Sequence, residues 1–138
     1  MSSLDRINDF YQELYKYDFI KTRGFELYRF EEYGFFALAS SLKTHAGREL
    51  TVSFNIHDNF PDQVELVIQC MNQTTLEQLH IIGTKVCEEL KRDMSLYQEP
   101  GCISMVSYFD IEDITGIMEM FKTLLEEIGK VSVFMMYI

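Results

Sequence analysis

Alternating apolar and polar residues between Leu50 and His57 form the clearest pattern in the chain. The apolar members are Leu50, Val52, Phe54 and Ile56, and the polar members are Thr51, Ser53, Asn55 and His57. A period of two places successive side chains on opposite faces of a β-strand. The pattern therefore predicts a strand with one buried face and one solvent-exposed face.

Four other segments also have the composition of strands. They are Phe25–Glu31, Phe35–Leu42, Val64–Met71 and Cys102–Phe109. The third is apolar at nearly every position, which is typical of a central strand buried on both faces. We expect turns at residues 33–34, 45–48 and 98–101, and a loop over residues 58–62, because Gly, Pro, Asn and Asp favour such conformations.

Three segments carry apolar residues at helical spacing. The first spans residues 4–19, the second begins at residues 74–75, and the third runs from Asp110 to Gly129. Ser2 with Asp5, Thr74 with Glu77, and Asp110 with Asp113 have the spacing of N-terminal capping pairs. The apolar stripe predicted for the third helix consists of Ile114, Ile117, Met118, Phe121, Leu124, Leu125 and Ile128, and we expect Met120 to lie off that stripe.

The segment at residues 131–138, VSVFMMYI, has no charged residue and predicts a final strand. Without a charge to protect its edge, this strand either lies inside the sheet or is covered by a partner or a second copy of the chain. The predicted element order is αββββαβαβ. We therefore expect a single domain, residues 1–138, of the α+β class. Two or three helices pack on one face of a mainly antiparallel sheet of five to six strands.

The chain is strongly acidic: it has 22 acidic and 12 basic side chains, which give a formal net charge of −10. Between Glu99 and Gly129 there are seven acids and one base, Lys122, so that this stretch alone has a net charge of −6. Such a field repels nucleic acids and anionic lipids and attracts basic partners.

Three cysteines, odd in number and widely spaced, are typical of free thiols in a reducing compartment. The polar beginning of the chain does not resemble a signal peptide, and no stretch approaches the roughly 20 apolar residues of a membrane span. We therefore expect a cytoplasmic protein that does not enter membranes. The seven glycines form no phosphate-binding loop, and the histidines have no metal-ligand spacing, so we expect no cofactor and no metal.

The leading hypothesis is a non-catalytic protein-binding module for a partner with a basic surface. It would act as an inhibitor, an immunity-type protein, an adaptor or a chaperone-like cofactor. One version is an inhibitor of a nucleic-acid enzyme that occupies the groove meant for phosphates. The candidate partner-binding residues lie on or beside the third helix, and they are Glu112, Asp113, Glu119, Met120, Glu126 and Glu127. The acids would steer the encounter, and aromatic or methionine side chains would supply affinity.

Two alternatives remain open. The first is a small enzyme with a dispersed site formed by His57, Asp58 and Asp62. The second is a weak single-strand nucleic-acid binder that uses Arg23, Phe25 and Tyr28. The segment RGFELYRF resembles in part the RNA-binding strand of the RRM family, in which aromatic residues stack on bases. Arg23, Gly24, Phe25 and Phe30 match that motif, whereas Glu26 and Leu27 depart from it.

Overall fold

A computed structural model describes residues 3–43, 49–70, 76–99 and 102–129. Its helices are α1 (Ser3–Leu14), α2 (Asp18–Lys21), α3 (Leu76–Leu90) and α4 (Ile114–Gly129), and a short 3-10 turn spans Glu31–Tyr33. Its strands are β1 (Glu26–Phe30), β2 (Phe35–Lys43), β3 (Glu49–His57), β4 (Phe60–Cys70), β5 (Ser95–Glu99) and β6 (Cys102–Asp110).

The six strands form one antiparallel sheet in the spatial order β1-β2-β3-β4-β6-β5. The predicted α+β class with an antiparallel sheet is therefore confirmed. Strand β4 lies between β3 and β6, as its nearly continuous apolar sequence predicts. Helix α3 carries the chain from β4 to the edge strand β5, and β6 then returns to pair with β4.

The apolar side of β3 is fully buried, which confirms the predicted alternation. Leu50, Val52, Phe54 and Ile56 each have 0% exposure. Apolar side chains of α1, α2, α3 and α4 pack against this side of the sheet in one hydrophobic cluster. Burial of this surface is the main favourable contribution to folding.

Helix α4 has the predicted apolar stripe, but its buried surface is wider than predicted. Met120 was expected to lie off the stripe, and that prediction is wrong, because its side chain is fully buried. The helix packs beside both α1 and α3 as well as on the sheet, so that more than one of its sides is covered. A stripe derived from the sheet-facing side alone cannot include these flanking positions.

Several predicted boundaries are wrong. The first helix ends at Leu14, and α2 begins after Tyr17, whose backbone is extended (φ −86°, ψ 127°). Residues 60–62 belong to β4 and not to a loop, so only residues 58–59 form the turn. Strand β5 was not predicted at all. The side chain that caps α4 is that of Asp113 and not that of Asp110, because Asp113 Oδ1 accepts a hydrogen bond from the Gly116 amide.

The final strand at residues 131–138, the turn at residues 45–48 and the caps at Ser2 and Thr74 lie outside the described residues. Those features therefore remain predictions.

Candidate functional site

The sheet has a second face, opposite the helices, on which exposed aromatic rings are concentrated. Strand pairing places Tyr28 and Phe30 of β1, Phe35 of β2 and His57 of β3 on this face, near one end of the sheet. We call these four residues the aromatic row. Tyr28 is 44% exposed and Phe30 39% exposed, although both are large rings that normally lie inside a protein.

The rings of the aromatic row follow one another across three strands. The ring centres of Tyr28 and Phe30 are 6.4 Å apart, and their planes differ by 27°. Those of Phe30 and Phe35 are 4.6 Å apart at 21°, and those of Phe35 and His57 are 5.3 Å apart at 38°. These separations are within the usual range of stacked aromatic pairs. The rings of the row therefore form one continuous, partly exposed stack.

A carboxylate lies at each end of the aromatic row. At the β1 end, the hydroxyl of Tyr28 donates a hydrogen bond of 3.0 Å to Glu26. At the β4 end, Asn55 Nδ2 donates a hydrogen bond of 3.0 Å to Glu65 Oε1, which also lies 3.9 Å from His57 Nε2. Both acids are therefore held by neighbouring side chains of the same face.

At its His57 end the row opens into a cleft of about 350 Å³. The cleft is lined by His57, Asn59, Phe60, Gln63, Glu65 and Tyr108. Phe60 is 64% exposed and Tyr108 52% exposed. The cleft is therefore open to a ligand from solvent and has the Glu65 carboxylate in its wall.

Two phenols of this face are held in the neutral form by their surroundings. The hydrogen bond to Glu26, followed by the charge of that carboxylate, raises the pKa of Tyr28. Partial burial, followed by a hydrogen bond to Glu65, raises the pKa of Tyr108. Each phenol remains a hydrogen-bond donor to a carboxylate over a wider pH range than an ordinary tyrosine.

The predicted partner-binding acids do not form one free surface. Glu112, Glu119 and Glu126 are exposed. Asp113 forms an ion pair with Arg92 (2.6 Å), and Glu127 forms one with Lys85 (3.1 Å), so both are engaged within the chain. The structure therefore leaves three of the five predicted acids available to a partner.

A cleft of about 430 Å³ between α1 and the start of α4 includes one of these acids. It is lined by Arg6, Asp9, Phe10, Glu13, Ile111, Glu112 and Ile114. Arg6 forms an ion pair with Asp62, and Glu13 accepts a hydrogen bond of 2.7 Å from Lys16. Much of the charge around this cleft is therefore already compensated inside the chain.

The residues of the predicted enzyme site do not converge. The carboxylate near His57 is that of Glu65, whereas Asp62 pairs with Arg6. The backbone amide of Asp58 donates a hydrogen bond of 2.7 Å to the carbonyl of Gly34, as part of the turn between β3 and β4. Within the described ranges, no three His, Cys, Asp or Glu side chains are grouped so that they could hold a metal ion.

Of the three residues predicted to bind single-stranded nucleic acid, one is buried in the core and a second is engaged by neighbouring residues of the chain. Phe25 is 5% exposed and packs against Phe54 and Phe121. The guanidinium of Arg23 lies 3.6 Å from the ring centre of Phe19 and donates a hydrogen bond to the carbonyl of that residue. Of the three, only Tyr28 lies on the face that carries the aromatic row.

Sequence reasoning did not select Glu26 and Glu65, although a signal was present. Glu26, Tyr28 and Phe30 alternate with Leu27 and Arg29, and this period of two places them on one face of a strand. Glu65 is an acid within an otherwise apolar run. A charge at such a position indicates that one face of the strand meets solvent.

No protein-family model, curated protein or solved structure matches this chain. In the part of the chain that the structure describes, no helix combines the length and the apolar character needed to cross a membrane.

Proposed function

We propose that this protein is a non-catalytic protein-binding module whose partner presents a basic surface, and that the aromatic row with Glu26 and Glu65 forms the contact. One observation carries the proposal: an exposed row of stacked rings ends in a carboxylate on both sides. On this face, no Lys or Arg occupies β1, β3 or β4, or β2 from Phe35 to Ser41, and the register places Lys43 at the end of β2 away from the row. Exposed aromatic residues are the usual anchors of protein interfaces.

The acids of α4 have a separate role in this proposal. Glu112, Glu119 and Glu126 are exposed and contribute to the negative field that attracts the partner from a distance. Long-range attraction changes the association rate more than the lifetime of the complex. The aromatic row, in contrast, makes close contacts and would determine that lifetime.

The proposed mode of action is that of an inhibitor, immunity-type protein, adaptor or chaperone-like cofactor in the cytoplasm. The net charge of −10 favours a partner whose own surface is made to bind phosphates, such as a nucleic-acid enzyme. Cys87 is a free thiol, which is in keeping with a reducing compartment.

The test begins with capture of partners from the native host on the immobilised protein, followed by association and dissociation rates for the purified pair. Glu26→Gln with Glu65→Gln should shorten the lifetime of the complex. Glu112→Gln, Glu119→Gln and Glu126→Gln together should mainly slow association. Raising the salt concentration from 0.15 M to 1 M reduces the Debye length from about 8 Å to about 3 Å, so association should slow strongly. A partner that binds with rates unchanged in both variants and in high salt would refute the proposal.

A second candidate function is single-strand nucleic-acid binding, and exposed rings on an open sheet face are the observation that favours it. Glu26 and Glu65 oppose it, because phosphates would have to approach two carboxylates. A gel-shift assay at low salt with a single-strand oligonucleotide decides between the two. A shift that disappears in the variant Phe30→Ala would favour nucleic acid.

A further inference from the structure

The aromatic row offers flat rings and carboxylates to the same ligand. Tyr28, Phe30 and Phe35 have ring planes within 27° of their neighbours, so they form a stack that a planar group can continue at its ends. Glu26 and Glu65 lie beside its two ends. A ligand group that suits both features is flat, cationic and able to donate several hydrogen bonds.

The guanidinium group of arginine has these three properties. It is planar, keeps its charge at every physiological pH, and donates two parallel hydrogen bonds to a carboxylate. The lysine ammonium is a compact, strongly hydrated charge that gains less from a flat ring. The chain contains an internal example of the contact between a guanidinium and a ring, because the guanidinium of Arg23 lies 3.6 Å from the ring centre of Phe19.

The separation of the two carboxylates sets the spacing of the ligand. Glu26 pairs with Ala39 of β2, Ala39 with Ser53 of β3, and Ser53 with Val67 of β4, two residues from Glu65. Neighbouring strands are about 4.8 Å apart, and two residues along a strand span about 7 Å. Three strand separations and two residues therefore place the backbone positions of Glu26 and Glu65 about 16 Å apart. In an extended peptide, side chains on one face recur every second residue, and positions i and i+4 are about 14 Å apart. Positions i and i+2 reach only about 7 Å.

We propose that the aromatic row binds an extended segment of its partner that carries two arginines four residues apart. One guanidinium pairs with Glu26 beside Tyr28, and the other enters the cleft beside His57 and pairs with Glu65. The segment crosses β2 and β3 between the two acids, over Ala39 and Asn55, and its guanidinium groups lie at the two ends of the ring stack. This inference rests on the proposed function and names the chemistry that its contact surface recognises.

The test uses synthetic peptides with blocked termini and NMR spectra of the labelled full chain. The reference peptide is Gly-Arg-Thr-Val-Thr-Arg-Gly. In one control both arginines are lysine, and in the other the arginines are three residues apart and therefore on opposite faces. We expect the reference peptide to shift the signals of Tyr28, Phe30 and His57. Exposed cation–π contacts predict weakening of about threefold for each arginine replaced by lysine, or about tenfold for both.

Protein variants complete the test. Glu26→Gln and Glu65→Gln should each weaken binding of the reference peptide, whereas Glu89→Gln, at an exposed position of α3, is the matched control and should leave it unchanged. Circular dichroism of each variant establishes that it folds. Equal affinity for the arginine and lysine peptides, or shifts confined to α4, would overturn the inference.

These outcomes are distinguishable from failure of the proposed function. Suppose that Glu26→Gln and Glu65→Gln shorten the lifetime of the complex with a captured partner, but the arginine and lysine peptides bind equally well. That result refutes only the arginine inference. An oligothymidylate strand that shifts the signals of Phe30 and Phe35, where none of the three peptides does, overturns both the inference and the proposed function.

Discussion

Arg92 Nη2 lies 2.6 Å from Asp113 Oδ2, while Asp113 Oδ1 accepts a hydrogen bond of 3.1 Å from the amide of Gly116. One carboxylate thus fixes the first turn of α4 and ties it to the segment between α3 and β5. The arrangement gives Asp113 a structural role, whereas its sequence position made it a candidate for binding a partner.

The Asp113 carboxylate combines two contributions that substitution can separate. Asp113→Ala removes the cap and the ion pair, and we expect it to lower the free energy of unfolding by about 1.5 kcal/mol. Asp113→Asn retains a capping oxygen, so we expect a loss of only about 0.5 kcal/mol, since the ion pair is partly exposed. Urea unfolding followed by circular dichroism measures both. Glu119→Gln is the control and should change stability by less than about 0.5 kcal/mol. Equal losses for the Ala and Asn variants would contradict the capping role.

Gly116 gives a second test of the same arrangement, because its Cα faces the ion pair. A methyl group there would meet Asp113 Oδ2 at 2.5 Å and would also contact Arg92 Nη2. Replacing a helical glycine with alanine normally stabilises a helix by about 1 kcal/mol. We expect this gain to be cancelled in Gly116→Ala, since the capping carboxylate must move. In a protein that already carries Asp113→Ala, the same substitution should be stabilising. An equal effect in both backgrounds, measured by urea unfolding, would show that the crowding is unimportant.

Phe54 is the centre of the aromatic core. Its ring centre lies 6.2 Å from that of Phe10, 5.6 Å from that of Phe25 and 5.5 Å from that of Phe121, and its side chain is fully buried. Truncation leaves a cavity between α1, α4 and the sheet, so Phe54→Ala should cost about 3–5 kcal/mol of stability. Tyr97→Ala, at a 50% exposed position, is the comparison and should cost much less. Thermal or urea unfolding gives both values, and a cost below about 1 kcal/mol for Phe54→Ala would contradict this packing.

The burial pattern of β3 and α4 was predictable because each of these elements repeats its apolar residues with a regular period. Strand β5 was not, because Leu96 alone among its described side chains packs against the core, and an edge strand of five residues needs no alternating pattern. Because of Pro61, residues 60–62 were predicted to be a loop, whereas β4 begins at Phe60. The register between β3 and β4 shifts between Asn55 and His57, and a proline is tolerated at such an irregularity.

The aromatic row could be predicted only in part from the sequence. The alternation around Tyr28 indicates which residues share a face of β1, but the pairing of β1 with β2 and β3 decides that Phe35 and His57 continue the row. Strand pairing is a long-range property, so no local pattern contains it. For the same reason, the pairing of Asp113 with Arg92 could not be read from the acidic composition of the region.

The hydrogen bond between Tyr28 and Glu26 predicts a pH dependence. The bond and the charge of Glu26 raise the pKa of Tyr28 above the ordinary value of 10.0. Because the folded-state pKa exceeds the unfolded one, the stabilisation is fully present below the unfolded pKa and is lost as the pH rises through the folded pKa. Glu26→Gln removes the carboxylate and should return the pKa of Tyr28 toward the ordinary value.

An NMR titration of tyrosine ring carbons measures this pKa directly, and Tyr28→Phe assigns the signal. The chain has eight tyrosines, so the assignment is needed before any pKa is compared. Tyr108, whose pKa is raised by partial burial and by Glu65, serves as the internal control, and Glu26→Gln should leave that pKa unchanged because Tyr108 lies on β6, far from β1 in the sheet. If the pKa of Tyr28 is unaffected by Glu26→Gln, Glu26 is not held at the end of the aromatic row, and the contact proposed for that end loses its carboxylate.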